Sequence, residues 1–233
     1  VRIDIWSDIV CPFCYIGGRH LQLALERFDH AEEVEVVWRS FELDPRPVED
    51  PHADLTEQLA AKYGMSRDRA EANQQRVGEA MEAVGLEFNW RDAHPANTFD
   101  AHRLAHLAAE RGLSDQAQTA FKKAYFTDGR AIGDHQVLRD LAIGIGLDAD
   151  EVDDVLSSDR YADQVRADES QAQVYGITAV PTFVLADQYS VSGAQPVDTL
   201  VDVLDQVWSL TEKTPLVPVS GAAGESCGVD GCD

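Results

Sequence analysis

Segments with β-type patterning occupy the two ends of this chain and a helical block fills the middle, a distribution that constrains the fold more than any single motif. Residues 1–7, VRIDIWS, alternate apolar with polar side chains, Ile3 and Ile5 against Arg2 and Asp4, as a half-buried strand does. In EVEVVWRSFEL at 33–43, Val34, Val36 and Trp38 repeat with period 2. Between them Leu21, Leu25 and Phe28 mark one face of a helix from Pro12 to about Asp29, so the opening is βαβ. β character returns only at 182–185 and 189–192, joined by a tight Ala-Asp-Gln turn, and a last helix is expected over 197–210.

The intervening stretch predicts helices at 54–63, 66–84, 98–111, 114–127, 134–144, 148–156 and 159–175, several stopped by Gly64, Gly85, Gly112 and Gly176. Ala101, Leu104, Ala105 and Ala108 form the stripe of one of them. Three prolines in DPRPVEDP at 44–51 mark the exit from the first unit. Standing alone, that βαβ unit would have an unpaired sheet edge and too little core. The expected fold class is therefore α/β: a split domain over 1–48 and 176–210, a large helical insertion over 49–175, and a tail over 211–233. The tail is rich in Gly, Pro and Ser and reads as extended, with no helix period; no internal repeat is visible.

The 233 residues are 44% hydrophobic and 26% charged, enough for a sizeable core, and no apolar run approaches the roughly 20 residues that span a bilayer. Neither a membrane nor a nucleic acid is an expected partner, because 42 acidic against 19 basic side chains give a charge of −23 that repels phosphate. That acidity serves solubility or a partner with basic patches. VRIDIW is already strand-like and shows no basic n-region or apolar h-region, so a cytoplasmic location is expected, with a leader removed ahead of Val1 as the alternative.

Cys11, Cys14, Cys227 and Cys232 form two close pairs at opposite ends of the chain, with none between. A disulfide-stapled secreted domain is shorter and denser in cysteine, so such pairs point to redox chemistry or to metal. The first pair, Cys11-Pro12-Phe13-Cys14, falls where the first strand gives way to the first helix. Residues three apart on a helix are neighbours, with Cβ atoms about 5–6 Å apart, so the sulfurs can be bridged with little backbone movement. Pro12 suits the first helical position, where its missing N–H costs nothing. Cys11 then meets the free amides and positive dipole of the helix start, which favour the thiolate and make it the nucleophile. Cys14, one turn inside, is expected to be more buried and to act as the resolving thiol. A packed structural pair or half a zinc site is the alternative; a strand before and a helix after is the thioredoxin-like arrangement, whereas zinc knuckles place such a pair in a turn.

In GITAVPTFV at 176–184 a proline precedes an apolar β run and must begin that strand. A thioredoxin fold places a cis-proline facing the reactive cysteines, and Pro181 after Val180 is the candidate, an ordinary trans strand-leader being the alternative. CPFC after a first strand, a helical insertion, and GITAVPTFV before a closing hairpin and helix resemble the DsbA family of thioredoxin-like thiol-disulfide oxidoreductases. CPFCYIGGRHL, FELDP and NTFDAHRLAHLA are similar to its FrnE branch, over roughly residues 2–210.

The resemblance implies exchange of disulfides with protein substrates, and isomerisation of them, through a mixed disulfide at Cys11, with Cys14 resolving it. It makes Pro181 the cis-proline and Val180 the residue whose backbone bonds an extended substrate segment. Pro12 and Phe13, between the cysteines, join Val180 as expected substrate-binding residues. The strongly oxidising enzymes carry His where this chain has Phe13, so Cys11 is expected to be less acidic than theirs and the protein to reduce or isomerise disulfides. No cofactor and no metal are expected, and a thiol reductant is the expected recycling partner. A glutathione-using isomerase or transferase of the kappa type normally has Ser in place of Cys11, which argues against that alternative.

Cys227 and Cys232, in SCGVDGCD, are flanked by Gly228 and Gly231, which allow a tight loop. Roughly 15 residues of linker from Lys213 extend at most about 50 Å, enough to reach Cys11. FrnE-type proteins carry such a pair, and the resemblance implies thiol exchange with the first pair; a purely local disulfide is the alternative, and convergence of all four thiols on zinc is another. His102 and His106, four apart, are able to share a metal but lack the Glu of His-Glu-x-x-His and read as a half-exposed helix face. Asp8 reads as a turn-forming carboxylate rather than a proton acceptor for the thiols. Gly144 and Gly146 lack the third glycine and the preceding strand of a dinucleotide site.

Overall fold

A computed structural model describes residues 1–50, 53–211, 227–228 and 231–232. In chain order the elements are β1 (Arg2–Ser7), α1 (Pro12–Leu25), β2 (Glu35–Ser40), α2 (Leu55–Lys62), α3 (Arg67–Glu82), α4 (Phe99–Glu110), α5 (Ser114–Phe126), α6 (His135–Gly144), α7 (Ala149–Ser157), α8 (Ala162–Val174), β3 (Thr182–Leu185), β4 (Tyr189–Ser192), α9 (Val197–Thr211), β5 (Cys227–Gly228) and β6 (Gly231–Cys232). The main sheet runs β2-β1-β3-β4. β1 is parallel to β2, with Ile5 opposite Trp38, and antiparallel to β3, with Ile5 opposite Phe183; β3 and β4 form a hairpin. This is a mixed α/β, thioredoxin-like sheet carrying a helical insertion between β2 and β3.

Period-2 alternation sends Ile3, Ile5, Phe183 and Leu185 to one face, where Leu21, Ala24, Phe28, Leu200, Leu204 and Val207 from α1, its following turn and α9 cover them. The opposite face carries Trp6 and Val184 against Ala172 of α8. β1 is therefore buried on both faces rather than half-buried as its alternation predicts. Its polar member, Asp4, is enclosed because Arg39 Nε and Arg2 Nη2 donate to Oδ1 at 2.7 and 2.8 Å, pairing a charge that burial alone would not tolerate.

The helical block has its own core of Met81, Leu104, Leu107, Phe121, Phe126 and Leu138, which also takes in Ile9 and Ile16 from around the cysteine pair. Asp54, Ser66, Asp134 and Asp148 accept backbone N–H groups at the starts of α2, α3, α6 and α7. Gly64, Gly85, Gly112 and Gly176 all have positive φ beyond helix ends, as the sequence indicates. α8 starts at Ala162 rather than 159 because Tyr161 is left-handed, φ 66°, with its hydroxyl bonded to Glu110 at 2.6 Å.

Asp168 on α8 fastens this block to the sheet. Its Oδ2 accepts from Ser40 N at 2.9 Å, its Oδ1 from Arg39 Nη1 at 3.1 Å, and its carbonyl from Trp6 Nε1 at 2.8 Å. Trp38 Nε1 donates to Asp115 Oδ1 on α5 at 2.6 Å. In the tail, Cys227 and Cys232 are opposite residues of a short antiparallel ladder; residues 212–226 lie outside the described residues. Among the described residues no helix is long and apolar enough to cross a membrane.

Candidate active site

β1 ends at Ser7, and a turn closed by Cys11 N donating to Asp8 O at 3.4 Å delivers the chain to α1. Ile9 in that turn is wholly buried and pins it to the helical core. Cys11 is the N-cap, with extended backbone angles (φ −91°, ψ 113°), and Pro12 is the first helical residue. The Cys11 carbonyl accepts from Cys14 N at 3.1 Å and Tyr15 N at 3.3 Å, which begins the helix. The Cys11 sulfur thus lies at the amide end of α1.

Both cysteines are free thiols, 4% and 0% exposed, so only Cys11 offers any edge to an incoming group. A hydrogen bond from the Cys14 thiol, and then the backbone amides of Cys14 and Phe13, bring the Cys11 thiol below its ordinary value against burial and the Asp8 charge. Burial and the hydrogen bond it gives to Cys11 push the Cys14 thiol well up. The surroundings thus favour the anion at Cys11 and the proton at Cys14.

Cys11 Sγ donates to Val180 O at 3.6 Å, and the Val180–Pro181 peptide is cis. Pro181 O accepts from Gly193 N at 2.7 Å and Thr182 Oγ1 donates to Ala179 O at 2.8 Å, so the hairpin holds this loop against α1. Contact is that close because Gly17 has no side chain: a Cβ there would stand 2.9 Å from Pro181 Cγ. One residue on, a Gly18 Cβ would stand 2.9 Å from Trp38 Cη2. Phe13 is half exposed beside the pair.

Asp8 is wholly buried, and its role extends beyond the turn expected of it. Its Oδ2 accepts from Leu43 N at 2.8 Å and its Oδ1 lies 3.3 Å from His102 Nε2. Burial pushes the Asp8 carboxyl up, but the bond and charge of His102 and the Leu43 amide outweigh it, so it falls below its ordinary value. CPFC, FELDP and NTFDAHRLAHLA, far apart in sequence, therefore meet around one carboxylate. His102 is buried there, not half-exposed, while His106 Nε2 turns to Ser40 Oγ at 3.1 Å and Asp168 Oδ2 at 3.2 Å. The two imidazoles serve different partners, and among the described residues no group of three or more His, Cys, Asp or Glu is arranged to hold a metal.

Gly144 ends α6 and Gly146, φ 103°, turns the chain after it, so this stretch is a helix stop. The structure brings Cys11, Cys14, Val180 and Pro181 together, with Pro12 and Phe13 at the helix start; the side chains of Cys227 and Cys232 are outside the described residues. Sequence reasoning missed Lys122, wholly buried on α5, whose ammonium burial lowers to about 8 against the charges of Cys14, Cys11, Asp8 and Asp115. Its neighbour Lys123 is exposed, and nothing local distinguishes the two.

A thiol on a helix start facing a strand-leading cis-proline is how thioredoxin-like oxidoreductases are built, and fold and site place the chain in that class. Residues 2–205 match the DSBA-like thioredoxin domain, and the chain belongs to that family of thiol-disulfide oxidoreductases. A probable DsbA oxidoreductase of Streptomyces coelicolor superposes with a TM-score of 0.91 at 46% identity, covering 100% of this chain and 98% of its own. The uncharacterised protein YwbO of Bacillus subtilis is 32% identical over 80% of this chain and 88% of its own. The cytosolic disulfide reductase DsbM of Pseudomonas aeruginosa shares the fold, with a TM-score of 0.61 at 18% identity over 91% and 100% of the two chains.

Proposed function

We propose that the protein reduces and isomerises disulfides in protein substrates through Cys11 and Cys14. The observation that carries this is the Cys11 thiol at the start of α1, 3.6 Å from the Val180 carbonyl, with Cys14 shut behind it. The Cys11 thiolate attacks one sulfur of a substrate disulfide, forming a mixed disulfide while the other substrate sulfur leaves as a thiolate and takes a proton. Cys14 then gives up its proton and attacks Cys11 Sγ. The Cys11–Cys14 disulfide forms, two electrons have passed to the substrate, and its second thiol departs. When a substrate thiol attacks the mixed disulfide first, the outcome is isomerisation with no net electron transfer.

An extended substrate segment passes beside Val180, whose backbone supplies its hydrogen bonds, with Pro12 and Phe13 lining the approach. Phe13 brings no positive charge to the thiolate, which favours reduction and isomerisation over forceful oxidation. A small or protein thiol returns the pair to the dithiol, and Cys227 with Cys232 relays electrons to it; their adjacency in the tail ladder supports their acting as a pair. The likeness to the FrnE branch supports the same relay.

The test is insulin reduction and refolding of scrambled ribonuclease by wild type, Cys11→Ser, and a Cys227→Ser, Cys232→Ser double variant. The expected result is loss of both activities in Cys11→Ser, with slower turnover in the double variant. Activity undiminished in Cys11→Ser would overturn the proposal.

A further inference from the structure

Among the described residues Lys122 is the only lysine the fold encloses, 2% exposed on α5 between buried Gln118 and Tyr125, one turn to either side. An ammonium in an apolar interior is costly unless an opposite charge accompanies it. Its Nζ donates to Gln118 Oε1 and stands 4.7 Å from the centre of the Trp38 ring. Neither partner is an anion, and Lys122 makes no ion pair with a carboxylate among the described residues. Asp115, on the same helix, is taken by Trp38 Nε1, and Asp8 by Leu43 N and His102.

Packing brings the neighbours of the cysteine pair against those of Lys122. Trp38, over which Lys122 sits, is in close contact with Gly18, and Gly18 lies four residues after Cys14, on the same face of α1. Phe126, one turn beyond Lys122 on α5, stacks on Tyr15 beside Cys14, ring centres 5.8 Å apart. α5 thus runs Lys122 along the buried side of the cysteine pair, and Cys14 and Cys11 act on it more strongly than Asp8 or Asp115 does.

We propose that the Lys122 ammonium is the buried counter-charge of the reduced pair, holding a proton while Cys11 is a thiolate and releasing it when the Cys11–Cys14 disulfide forms. This rests on the redox role of the pair proposed above. Charge and protons then balance: oxidation by a substrate disulfide yields two substrate thiols, and their two protons correspond to those given up by the Cys14 thiol and by Lys122. Reduction returns both. The other charges facing Lys122 are Asp8, ahead of α1 and bonded to His102 of α4, and Asp115 on α5 itself; the redox-dependent difference is assigned to the cysteines.

Loss of the thiolate makes the ammonium give up its proton at lower pH in the disulfide form than in the dithiol form. Between those two pH values reduction takes up one additional proton, so falling pH favours the dithiol by an additional factor of about ten per pH unit. Reciprocally, removing the cation at neutral pH shifts the pair about tenfold toward the disulfide.

The sequence has four lysines, so each amine is resolvable by nitrogen-15 NMR in the native full-length chain. The expected result is one lysine titrating near pH 8 in the reduced protein and lower in the oxidised protein, its signal missing from Lys122→Met. In a second measurement, Cys227→Ser, Cys232→Ser protein with and without Lys122→Met is equilibrated with glutathione between pH 6 and 9. The Lys122 form is expected to show the additional pH dependence and the Met form to lose it. Identical titration of Lys122 in both redox forms, or parallel glutathione profiles, overturns the inference and leaves the redox role standing. Failure of any Cys11–Cys14 disulfide to form overturns that role, and the inference with it.

Discussion

Cys11 and Cys14 lie three residues apart, yet their thiols meet opposite surroundings: hydrogen bonds favour the anion at one, and burial suppresses it at the other. Lys122 belongs to the same site and exacts a cost in stability. Its ammonium is lowered from 10.5 to about 8 by burial, so between those pH values the unfolded chain binds more protons than the folded one and stability rises with pH. The penalty is fully present below about pH 8 and gone above about 10.5, and the shift corresponds to about 3 kcal/mol. Urea denaturation of the reduced protein should find Lys122→Met more stable than wild type at pH 7, an advantage that shrinks at pH 10. An equal gap at both pH values would show that charge burial is not the cause. The placement of Cys11 and Cys14 at the start of α1 is legible in the sequence from their spacing and the strand-to-helix junction. Asp8 and His102 are not: their contact spans 94 residues, so a carboxylate in a turn and an imidazole on a helix give no local sign of each other.

At the scale of elements, α1 and the hairpin that follows Pro181 must touch for Val180 to face Cys11. Gly17→Ala should therefore cost about 1–3 kcal/mol, since its Cβ would press within 2.9 Å of a rigid proline ring in a packed layer. Gly78→Ala is the control. Within α3 its Cβ meets only Phe88 Cδ1, at 4.0 Å, and helix propensity predicts a gain of up to about 1 kcal/mol. Thermal melts of the two variants should shift in opposite directions; a Gly17→Ala protein as stable as wild type would deny the close contact. Helix positions were legible where glycine stops, as at Gly64, Gly85, Gly112 and Gly176, and apolar stripes mark them. The least accurate start, that of α8, depends on a left-handed Tyr161 whose hydroxyl is anchored on α4, a constraint no local pattern carries.

For the whole molecule, β-type ends around a helical middle were enough to indicate a split α/β domain with an insertion, because a lone βαβ unit cannot bury its faces; that the sheet is thioredoxin-like was indicated by the cysteine pair, Pro181 and the family resemblance. How the insertion seats on the sheet was not legible, since it depends on Asp168, one of many acidic residues on a chain of charge −23. Burial raises the Asp168 carboxyl, but the His106 ring, the Ser40 amide and Arg39 outweigh it, leaving it below its ordinary value. Such a group contributes stability above the unfolded value of about 3.9 and loses it as pH falls through the lower folded value. Asp168→Ala should cost about 2–4 kcal/mol at pH 7, by leaving the buried Ser40 amide without its acceptor and taking one of its two carboxylates from the Arg39 guanidinium, and less near pH 3. Denaturation at the two pH values checks this, and a pH-independent loss would point to packing instead. Fold, seating and loop together hold one sulfur at the amide end of α1, and the rate of its alkylation against pH tests that directly. In reduced Cys227→Ser, Cys232→Ser protein, Cys11 should react with a midpoint below the roughly 8.5 of a free thiol, while Cys14 stays unreactive. A Cys11 midpoint at or above that value, or equal reactivity of Cys14, would contradict the account.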